Sequence, residues 1–343
     1  MTDTLYLAET SAQSRPMQVG FLGLGWIGRH RMQAMLDTGA IQAVAISDPS
    51  QEAVDAALQS APGAAVCHDL DDLLSRDLDG LVIATPSALH ASQSIAALEA
   101  GLAVFCQKPL GRSADEVRAV VEAARRNDRL LGVDLSYRYA EPMQQIRSLL
   151  KADALGRVFS VDLTFHNAYG PDKPWFYDRS LSGGGCVMDL AIHLVDLALW
   201  ALDFPEVEHV SSHLMSAGVP LESGDEQVED FAAVTLTLAG GTVVRLACSW
   251  RLQAGCDAVI NATFYGTEGG ALLSNVDGSF YHLTAERFRG TSREALGPVQ
   301  DDWGGLAAMS WAKQLAVAPG YDPACEALVA SAEVIDRIYA GQG

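Results

Sequence analysis

The chain has 343 residues, of which 49% are hydrophobic and 19% charged, and its formal net charge is −20. This length is sufficient for two domains with full cores, and the composition is typical of a globular protein. Proteins bind nucleic acids and anionic membrane surfaces with basic patches, so the acidic balance argues against both kinds of partner. No apolar run reaches the length that a bilayer span needs.

The cysteines and the N-terminal residues point to a cytoplasmic protein. The six cysteines are scattered without a C-x-x-C pair, which predicts reduced core thiols and no metal site. Residues 1–16 are polar and acidic, and they lack the basic start and apolar stretch of a signal peptide, so we expect an N-terminal tail.

Residues 17–136 alternate between strand-like and helix-like patterns. Strands are predicted at 18–23, 42–47, 80–84, 102–106 and 130–134, and helices at 27–38, 50–59, 69–75, 88–100 and 113–127. Such alternation predicts an α/β domain, a doubly wound parallel sheet with helices on both faces. A ligand is then expected beyond the carboxyl ends of the strands.

The pattern changes in residues 137–343, which are predicted to form a second, α+β domain. A helix at 142–151 precedes strands at 157–166, 228–238, 242–251, 257–265 and 270–274, and only two further helices are predicted, at 186–201 and 323–339. Several of these strands alternate apolar and polar residues, which is typical of a large open, mostly antiparallel sheet with one face away from the core.

A glycine motif follows the first predicted strand. Residues 23–28 read G-L-G-W-I-G, which is a G-x-G-x-x-G motif. The residues predicted to bind the cofactor here are Gly23, Gly25, Trp26, Ile27 and Gly28. Such a motif allows a tight turn, lets a pyrophosphate approach the backbone and packs the next helix close to the strand. The second strand ends near Asp48, where a carboxylate bonds ribose hydroxyls and repels a 2′-phosphate. The sequence therefore predicts NAD as the cofactor, with NADP less favoured, although an ordinary Asp-Pro turn is the alternative interpretation of Asp48.

The helix predicted at 186–201 is apolar on nearly every side but contains three ionisable residues. Asp189, His193 and Asp196 are spaced i, i+4 and i+7, which places them along one stripe. Burying such groups is costly unless they are paired or face a wet cleft. We therefore expect the stripe to face an active site, with Asp196 orienting the imidazole. The alternative is a satisfied core histidine flanked by structural carboxylates.

Lys108 is a further candidate catalytic residue. It follows the strand predicted at 102–106, at the edge of the sheet where a ligand is expected, and Pro109 restricts the backbone after it. A lysine in this place can donate hydrogen bonds to a substrate oxygen and stabilise developing negative charge. A solvated surface lysine is the alternative.

Taken together, four stretches resemble the Gfo/Idh/MocA oxidoreductase family, named for glucose–fructose oxidoreductase and inositol dehydrogenase. They are G-L-G-W-I-G at 23–28, T-P-S-A-L-H at 85–90 with A-L-E-A-G at 97–101, Q-K-P at 107–109, and 184–193, which matches G-G-x-x-x-D-x-x-x-H. The likeness extends from Val19 to the last helix. Gln107 departs from the family's E-K-P motif, and a neutral amide there would leave Lys108 without an adjacent anion.

The resemblance implies a Rossmann domain joined to a domain whose open sheet forms a homodimer or homotetramer. It implies hydride transfer between a nicotinamide and a secondary alcohol of a sugar, cyclitol or sugar-derived acid. Lys108 matches the lysine that contacts the reacting hydroxyl, His193 the general acid/base, and Asp189 its partner in binding and orientation. The same resemblance places Thr85, Pro86, His90, Gln107 and Lys108 beside the cofactor.

Substrate contacts are predicted from the aromatic and polar side chains that follow the strand at 157–166. Such a mixture suits a polyhydroxylated ring, which offers apolar faces edged by hydroxyls. The residues expected to contact the substrate are Arg138, His166, Asn167, Tyr177, Asp189 and His193. A loop that packs its aromatic side chains against a partner subunit is the alternative.

Two other functions remain open at this point. An NAD-dependent glycosidase would use transient oxidation to cleave a glycosidic bond and would leave no net cofactor reduction. A non-catalytic dinucleotide-binding regulator would keep the first domain alone, but it has no need for Lys108, Asp189 and His193 together.

Overall fold

The structure is a computed structural model that describes residues 15–221, 226–301 and 303–341. Residues 1–14, which form most of the expected N-terminal tail, lie outside the described residues. Five of the six cysteines are buried and all six are free thiols. Within the described ranges, no group of three or more His, Cys, Asp or Glu side chains is placed to hold a metal ion.

The first sheet has six strands in the order β3-β2-β1-β4-β5-β6, and every pairing is parallel. The strands are β1 (Met17–Leu22), β2 (Ile41–Ser47), β3 (Ala65–Val66), β4 (Gly80–Ile83), β5 (Ala103–Cys106) and β6 (Leu131–Val133). The helices between them are α1 (Trp26–Leu36), α2 (Gln51–Ser60), α3 (Leu70–Leu74), α4 (Ser87–Glu99) and α5 (Ala114–Asn127). The predicted doubly wound sheet is confirmed, and only β3, two residues long, gave too short a pattern to be predicted.

The strand order reverses between β1 and β4, and this reversal opens a crevice at their carboxyl ends. The loops that follow these two strands are adjacent, because the Ala84 amide donates to the Leu22 carbonyl at 2.8 Å. The nucleotide loop and the residues from Thr85 onward therefore border one crevice.

The second sheet has nine strands in the order β15-β14-β13-β12-β7-β11-β10-β8-β9, and only β7 and β11 pair in parallel. The strands are β7 (Val158–Asn167), β8 (Val207–Ser216), β9 (Val219–Pro220), β10 (Phe231–Leu238), β11 (Val243–Ser249), β12 (Ala258–Gly266), β13 (Gly270–Asn275), β14 (Leu283–Arg289) and β15 (Ser292–Ala295). The helices are α6 (Glu141–Lys151), α7 (Arg179–Ser182), α8 (Ile192–Ala201), α9 (Leu306–Val317) and α10 (Ala327–Ala340), and a π-helical turn, Val187–Ala191, precedes α8. The mostly antiparallel sheet is confirmed.

Strands β8, β9, β14 and β15 and helix α9 were not predicted from the sequence. Helix α9 packs away from the second sheet. Its Trp311 lies against Phe105 of β5 with ring centroids 5.8 Å apart, and Ala308 and Leu315 join the core formed by β1, α1 and α2. Near its end, the chain therefore returns to pack against the first sheet.

The helical stretch Arg179–Ala201 is long and apolar enough to cross a membrane by length and composition, which the sequence analysis did not expect. Its most apolar window is 89% buried inside the protein, and α8 contributes to the same core as the inner face of the second sheet. The stretch is the core helix that carries the candidate catalytic residues.

Candidate active site

A cleft of about 870 Å³ lies between the carboxyl ends of the first sheet and the start of α8. This volume is in the range of ordinary small-molecule sites. Twelve of the predicted cofactor and catalytic residues line it: Gly23, Gly25, Trp26, Ile27, Asp48, Thr85, Pro86, His90, Gln107, Lys108, Asp189 and His193. The fold thus gathers side chains from both domains at one cavity.

The glycines of the nucleotide loop are required by the backbone itself. Gly23 has φ +88°, and a Cβ there would lie 2.5 Å from the backbone of Ala84. A Cβ on Gly28 would overlap the Gly23 carbonyl oxygen, so a side chain would push α1 away from the strand. A Cβ on Gly25 would meet no atom within 4 Å, so this position is open to the cleft.

Asp48 shapes the nucleotide end of the cleft through both carboxylate oxygens. One accepts the Leu24 amide at 2.6 Å and the other the Ser50 amide at 2.8 Å. The carboxylate is therefore fixed between the glycine loop and the start of α2. No lysine or arginine occurs in residues 49–52, so the negative charge at this end has no neighbouring cation in the sequence.

His90 is occupied by the protein and does not offer a free ring nitrogen to a ligand. Its Nδ1 lies 2.7 Å from the Pro109 carbonyl and its Nε2 lies 2.6 Å from the Thr85 carbonyl. The imidazole thereby joins the loops after β4 and β5. Although it lines the cleft, we now interpret His90 as a residue that holds these loops in place, and not as a cofactor contact.

Lys108 is paired with Asp189 across the two domains. Its Nζ donates to Asp189 Oδ1 at 2.6 Å and to the Asp189 backbone carbonyl at 2.7 Å. The lysine therefore has an anionic partner, and the sequence-based concern that Gln107 leaves it without one is wrong. That anion comes from the helix of the second domain and not from the neighbouring residue.

Gln107 belongs to a buried network in the wall of the cleft. Its Nε2 and the Arg31 Nε both donate to Asp134 Oδ2 at 2.6 Å, and Ser136 donates to Oδ1 at 2.6 Å. Burial alone would raise the pKa of Asp134, but the Arg31 charge and the three donors bring that pKa below its usual value. This network was not predicted, because Arg31 and Asp134 are 103 residues apart and neither belongs to a recognised motif.

His193 is a half-buried imidazole whose Nδ1 has no hydrogen-bond partner in the described residues. The edge of the Tyr137 ring packs against it, with centroids 5.3 Å apart. Burial, together with the nearby Lys108 charge, lowers the pKa of His193 to about 3. The imidazole is therefore neutral near pH 7, which is the form that accepts a proton.

The expectation that Asp196 orients this imidazole is wrong. The Arg138 Nε donates to Asp196 Oδ2 at 2.6 Å, and a second bond joins the same guanidinium to Oδ1. Asp196 is three residues beyond His193, and this spacing turns it about 60° around an α-helix, away from the cleft. The π-helical turn before α8 further shifts Asp189 relative to the helix, so the three residues do not form one stripe.

Arg138 was also expected to contact substrate, and the same ion pair accounts for its guanidinium. The pair is almost fully buried, and the Phe204 ring covers the guanidinium with a centroid distance of 5.3 Å. Arg138 does not line the cleft. We interpret it as a structural cation that neutralises Asp196.

The other predicted substrate residues lie near the site but not on its surface. His166 alternates with the buried Phe165 on β7, so it lies on the opposite sheet face, bonded to Ser249 and stacked on Phe231. Asn167 accepts the amide of Tyr169 and closes a local turn. The Tyr177 hydroxyl donates to the Pro171 carbonyl at 2.9 Å, and none of the three predicted residues lines the cleft.

Aromatic residues do border the cleft, but from neighbouring positions. Trp175 and Phe176 stack with centroids 3.8 Å apart, and Trp303 stacks on Tyr137 at 4.2 Å. Trp175, Phe176 and Trp303 line the cleft, whereas Tyr137 does not. Trp175 and Phe176 lie in the aromatic stretch that the sequence pointed to, whereas Trp303 is in a loop before α9 with no pattern to indicate it.

The glycine run before the π-helical turn has a packing role. A Cβ on Gly184 would overlap the Tyr339 hydroxyl, and one on Gly185 would overlap the Glu229 carbonyl. The Glu229 side chain accepts the amides of Gly185 and Val187, both at 2.9 Å. These contacts fix the start of the segment that carries Asp189. No pattern in the sequence indicated Glu229.

This arrangement fits a dinucleotide and a proton-transfer reaction. The tight glycine loop and the fixed carboxylate of Asp48 match what a nicotinamide dinucleotide needs at one end. At the other end lie a lysine donor held by an aspartate and a neutral imidazole. A hydroxyl placed between them has a proton acceptor and a cation for its oxygen.

Known families, proteins and structures resemble this chain along most of its length. Residues 17–135 match an oxidoreductase family with an NAD-binding Rossmann fold, and residues 143–272 match the GFO/IDH/MocA C-terminal domain. The chain is 26% identical over 277 residues to D-glucoside 3-dehydrogenase of Escherichia coli (strain K12), covering 77% of this chain and 79% of that protein. It is 28% identical over 335 residues to inositol 2-dehydrogenase 4 of Saccharopolyspora erythraea, covering 93% and 94%. Levoglucosan dehydrogenase in complex with NADH and levoglucosan has a similar fold, with a TM-score of 0.79, 21% identity and coverage of 95% and 97%.

Proposed function

The chain belongs to the Gfo/Idh/MocA family of NAD-binding oxidoreductases, and we propose that its Lys108, Asp189 and His193 interconvert a secondary alcohol and a ketone on a sugar or cyclitol. The observation that carries this proposal is the convergence of these residues, from the loop after β5 and from the helix of the second domain, on one cleft.

The proposed roles follow from the charge and contacts of each side chain. In the oxidative direction the neutral imidazole of His193 accepts the hydroxyl proton. Lys108 donates a hydrogen bond to the same oxygen and stabilises its developing negative charge. Asp189 holds the lysine in place through two contacts, one from its side chain and one from its backbone carbonyl.

The cofactor is NAD, and its proposed binding residues come from the first domain. The amides of the glycine loop, from Gly23 to Gly28, would receive the pyrophosphate at the start of α1. Asp48 would accept the ribose hydroxyls, which also gives NAD the advantage over NADP. When bound, the nicotinamide supplies the hydride acceptor or donor.

The charges of the cleft favour a neutral substrate over a sugar acid. The cationic side chains that line the cleft already have partners in the protein. Lys108 is balanced by Asp189, Arg31 by Asp134 and Lys173 by Asp172, and Arg29 donates to the Leu24 carbonyl at the nucleotide end. The half-buried indole and phenyl rings at 175 and 176 line the cleft and offer apolar surface to the face of a sugar ring. The relatives named for glucosides, inositol and levoglucosan support the same class.

A screen of neutral sugars and inositols with NAD⁺, each paired with its acid counterpart such as glucose with glucuronate, tests the function. Reduction of the cofactor by a neutral polyol is expected. Lys108→Ala and His193→Ala should each lower turnover roughly 10²–10⁴-fold while NADH binding, followed by fluorescence, persists. Lys151→Ala is the matched control, because that lysine is an exposed cation paired with Asp203. Wild-type turnover in both site variants would contradict the assignment.

The proposal includes a homodimer or homotetramer in the cytoplasm. Strands β7, β10 and β12 alternate buried residues with more exposed ones, so one face of the second sheet is turned away from the core. Tyr265 lies on that outward face and is 38% exposed. Light scattering after gel filtration should give a multiple of the chain mass, and Tyr265→Glu should lower it. A monomeric wild-type protein would contradict the proposal.

A further inference from the structure

Trp250 immediately follows β11 and points its indole at the carboxylate of Asp189. The Nε1–H donates to Asp189 Oδ2 at 2.9 Å, and the residue is 3% exposed. The Trp250 backbone amide donates to the Asp230 carbonyl at 2.7 Å, which fixes the chain at the end of the strand. No motif in the sequence marks this tryptophan.

Neighbouring rings hold the indole in its orientation. Tyr177 packs edge-on against it at a centroid distance of 5.6 Å, and Phe176 does so at 6.4 Å. Both rings belong to the segment that borders the cleft from the second domain. The direction of the N–H is therefore set by packing before any ligand arrives.

The two oxygens of Asp189 are thus held by different partners. Trp250 donates to Oδ2, while Lys108 donates to Oδ1 and, with a second N–H, to the Asp189 backbone carbonyl. An ammonium group has three N–H donors, so one of those on Lys108 is left for a substrate oxygen. The direction of that last donor depends on where the carboxylate holds the lysine.

We propose that Trp250 is a positioning residue, which keeps the Asp189 carboxylate oriented so that Lys108 presents its remaining N–H to the substrate oxygen. This inference rests on the proposed function of the site. Without the indole N–H, Oδ2 loses its buried donor and the carboxylate is free to turn about its side-chain bonds. Both changes weaken the lysine contact that acts on the reacting oxygen.

The chain offers a matched control in a second buried tryptophan. Trp311 is also 3% exposed, but its Nε1 has no hydrogen-bond partner in the described residues, and its ring packs on Phe105 in the first domain. A change to phenylalanine removes the same atoms at both positions. Only at 250 does it remove a donor to the site.

The kinetic test compares Trp250→Phe with Trp311→Phe on a polyol that the wild type oxidises. Trp250→Phe should lower kcat roughly ten- to a hundredfold, as expected for losing one hydrogen bond to a charged group, with little change in the KM for NAD⁺. Trp250→His, which keeps a ring N–H, should restore part of the lost kcat. In an Asp189→Asn background, Trp250→Phe should add little. Losses equal to those of Trp311→Phe would overturn the proposal.

A readout that needs no turnover separates this inference from the function on which it rests. The indole N–H resonance of Trp250 in an NMR spectrum, assigned by its loss in Trp250→Phe, should shift when Asp189 is replaced by Asn, while the Trp311 resonance stays. If the wild type oxidises no polyol, the proposed function fails, but this spectrum still decides the contact. If the chemical shift of the Trp250 resonance does not change in Asp189→Asn, the inference is overturned, whatever the activity.

Discussion

At the scale of single residues, burial decides which form of His193 the protein contains. Desolvation of the imidazole, with the Lys108 charge nearby, favours the neutral form and brings the pKa of His193 to about 3. An exposed histidine has a pKa of about 6.5. The protein therefore keeps a proton acceptor ready at every pH at which it is expected to work.

The pH dependence of the reaction follows from this shift. Since the neutral base is the active form for oxidation, kcat/KM for the alcohol should not fall as pH is lowered through about 6.5. For reduction of the ketone the imidazolium is the active form, so the rate from this group should rise as pH falls toward the low pKa. Steady-state rates in both directions over a pH series measure this. A loss of kcat/KM for oxidation at low pH, centred near the ordinary imidazole pKa, would contradict the lowered pKa of His193.

A second prediction at the scale of single residues concerns Asp48 and the choice of cofactor. Asp48→Ala removes the carboxylate that is expected to repel a 2′-phosphate, so the ratio of kcat/KM for NAD⁺ to that for NADP⁺ should fall by roughly tenfold or more. Asp55→Ala is the control, because Asp55 is an exposed carboxylate on α2 that accepts a hydrogen bond from Gln51 at 2.8 Å. An unchanged ratio in Asp48→Ala would remove Asp48 from cofactor selection.

At the scale of elements, the segment that carries Asp189 and His193 is not a uniform helix. A π-helical turn, Val187–Ala191, leads into α8, and π turns are frequent at functional sites. The turn brings Asp189 to Lys108, while Asp196 is directed to Arg138 in the interior. One helix thus supplies a catalytic face and a structural ion pair on different sides.

The Arg138–Asp196 pair should matter for stability and not for substrate recognition. Arg138→Ala leaves a buried carboxylate without its cation, so the free energy of unfolding should fall by about 3–5 kcal/mol. The substrate KM of the folded fraction should stay unchanged. Replacing both partners, in Arg138→Met with Asp196→Leu, should recover most of the loss, as measured by denaturant unfolding. A raised KM with unchanged stability in Arg138→Ala would return Arg138 to the substrate site.

The difference between what could and could not be predicted lies in the range of the interactions. Gly23, Gly28 and Lys108 were predictable because local backbone geometry or position after a strand dictates them. Asp196 was misassigned because helix periodicity predicts the direction of a side chain but does not identify the residue that it contacts. Trp250 and Trp303 could not be predicted, since each reaches the site through contacts between distant segments.

At the scale of the whole molecule, the two predicted domains share a core element. Helix α9, from the last part of the chain, covers the first sheet with Trp311, Ala312 and Leu315. Indeed, a Cβ on Gly132 of β6 would lie 2.6 Å from the Trp311 ring, so strand and helix are in close contact. The binding and catalytic domains are therefore joined at more than the chain crossing near residue 137.

A fragment of residues 15–136 should not fold to the native state on its own. Without α9 it exposes the apolar face that Trp311 covers, so we expect no cooperative thermal transition by circular dichroism and strong binding of a hydrophobic dye. The control joins the same fragment through a flexible linker to residues 304–320. This chimera should regain a cooperative transition and NADH binding. A cooperative transition in the short fragment, with the midpoint of the chimera, would contradict the role of α9.

The packing of α9, which lies near the end of the chain, against the first sheet also has a consequence for biosynthesis. A ribosome releases all six strands of the first sheet long before it has translated residues 306–317. During that interval the nascent polypeptide contains the whole nucleotide-binding sheet, but one hydrophobic face of the sheet is still exposed. Exposed hydrophobic surface of this kind promotes aggregation. Chaperones that shelter unfinished chains should therefore engage this protein until its final helices emerge.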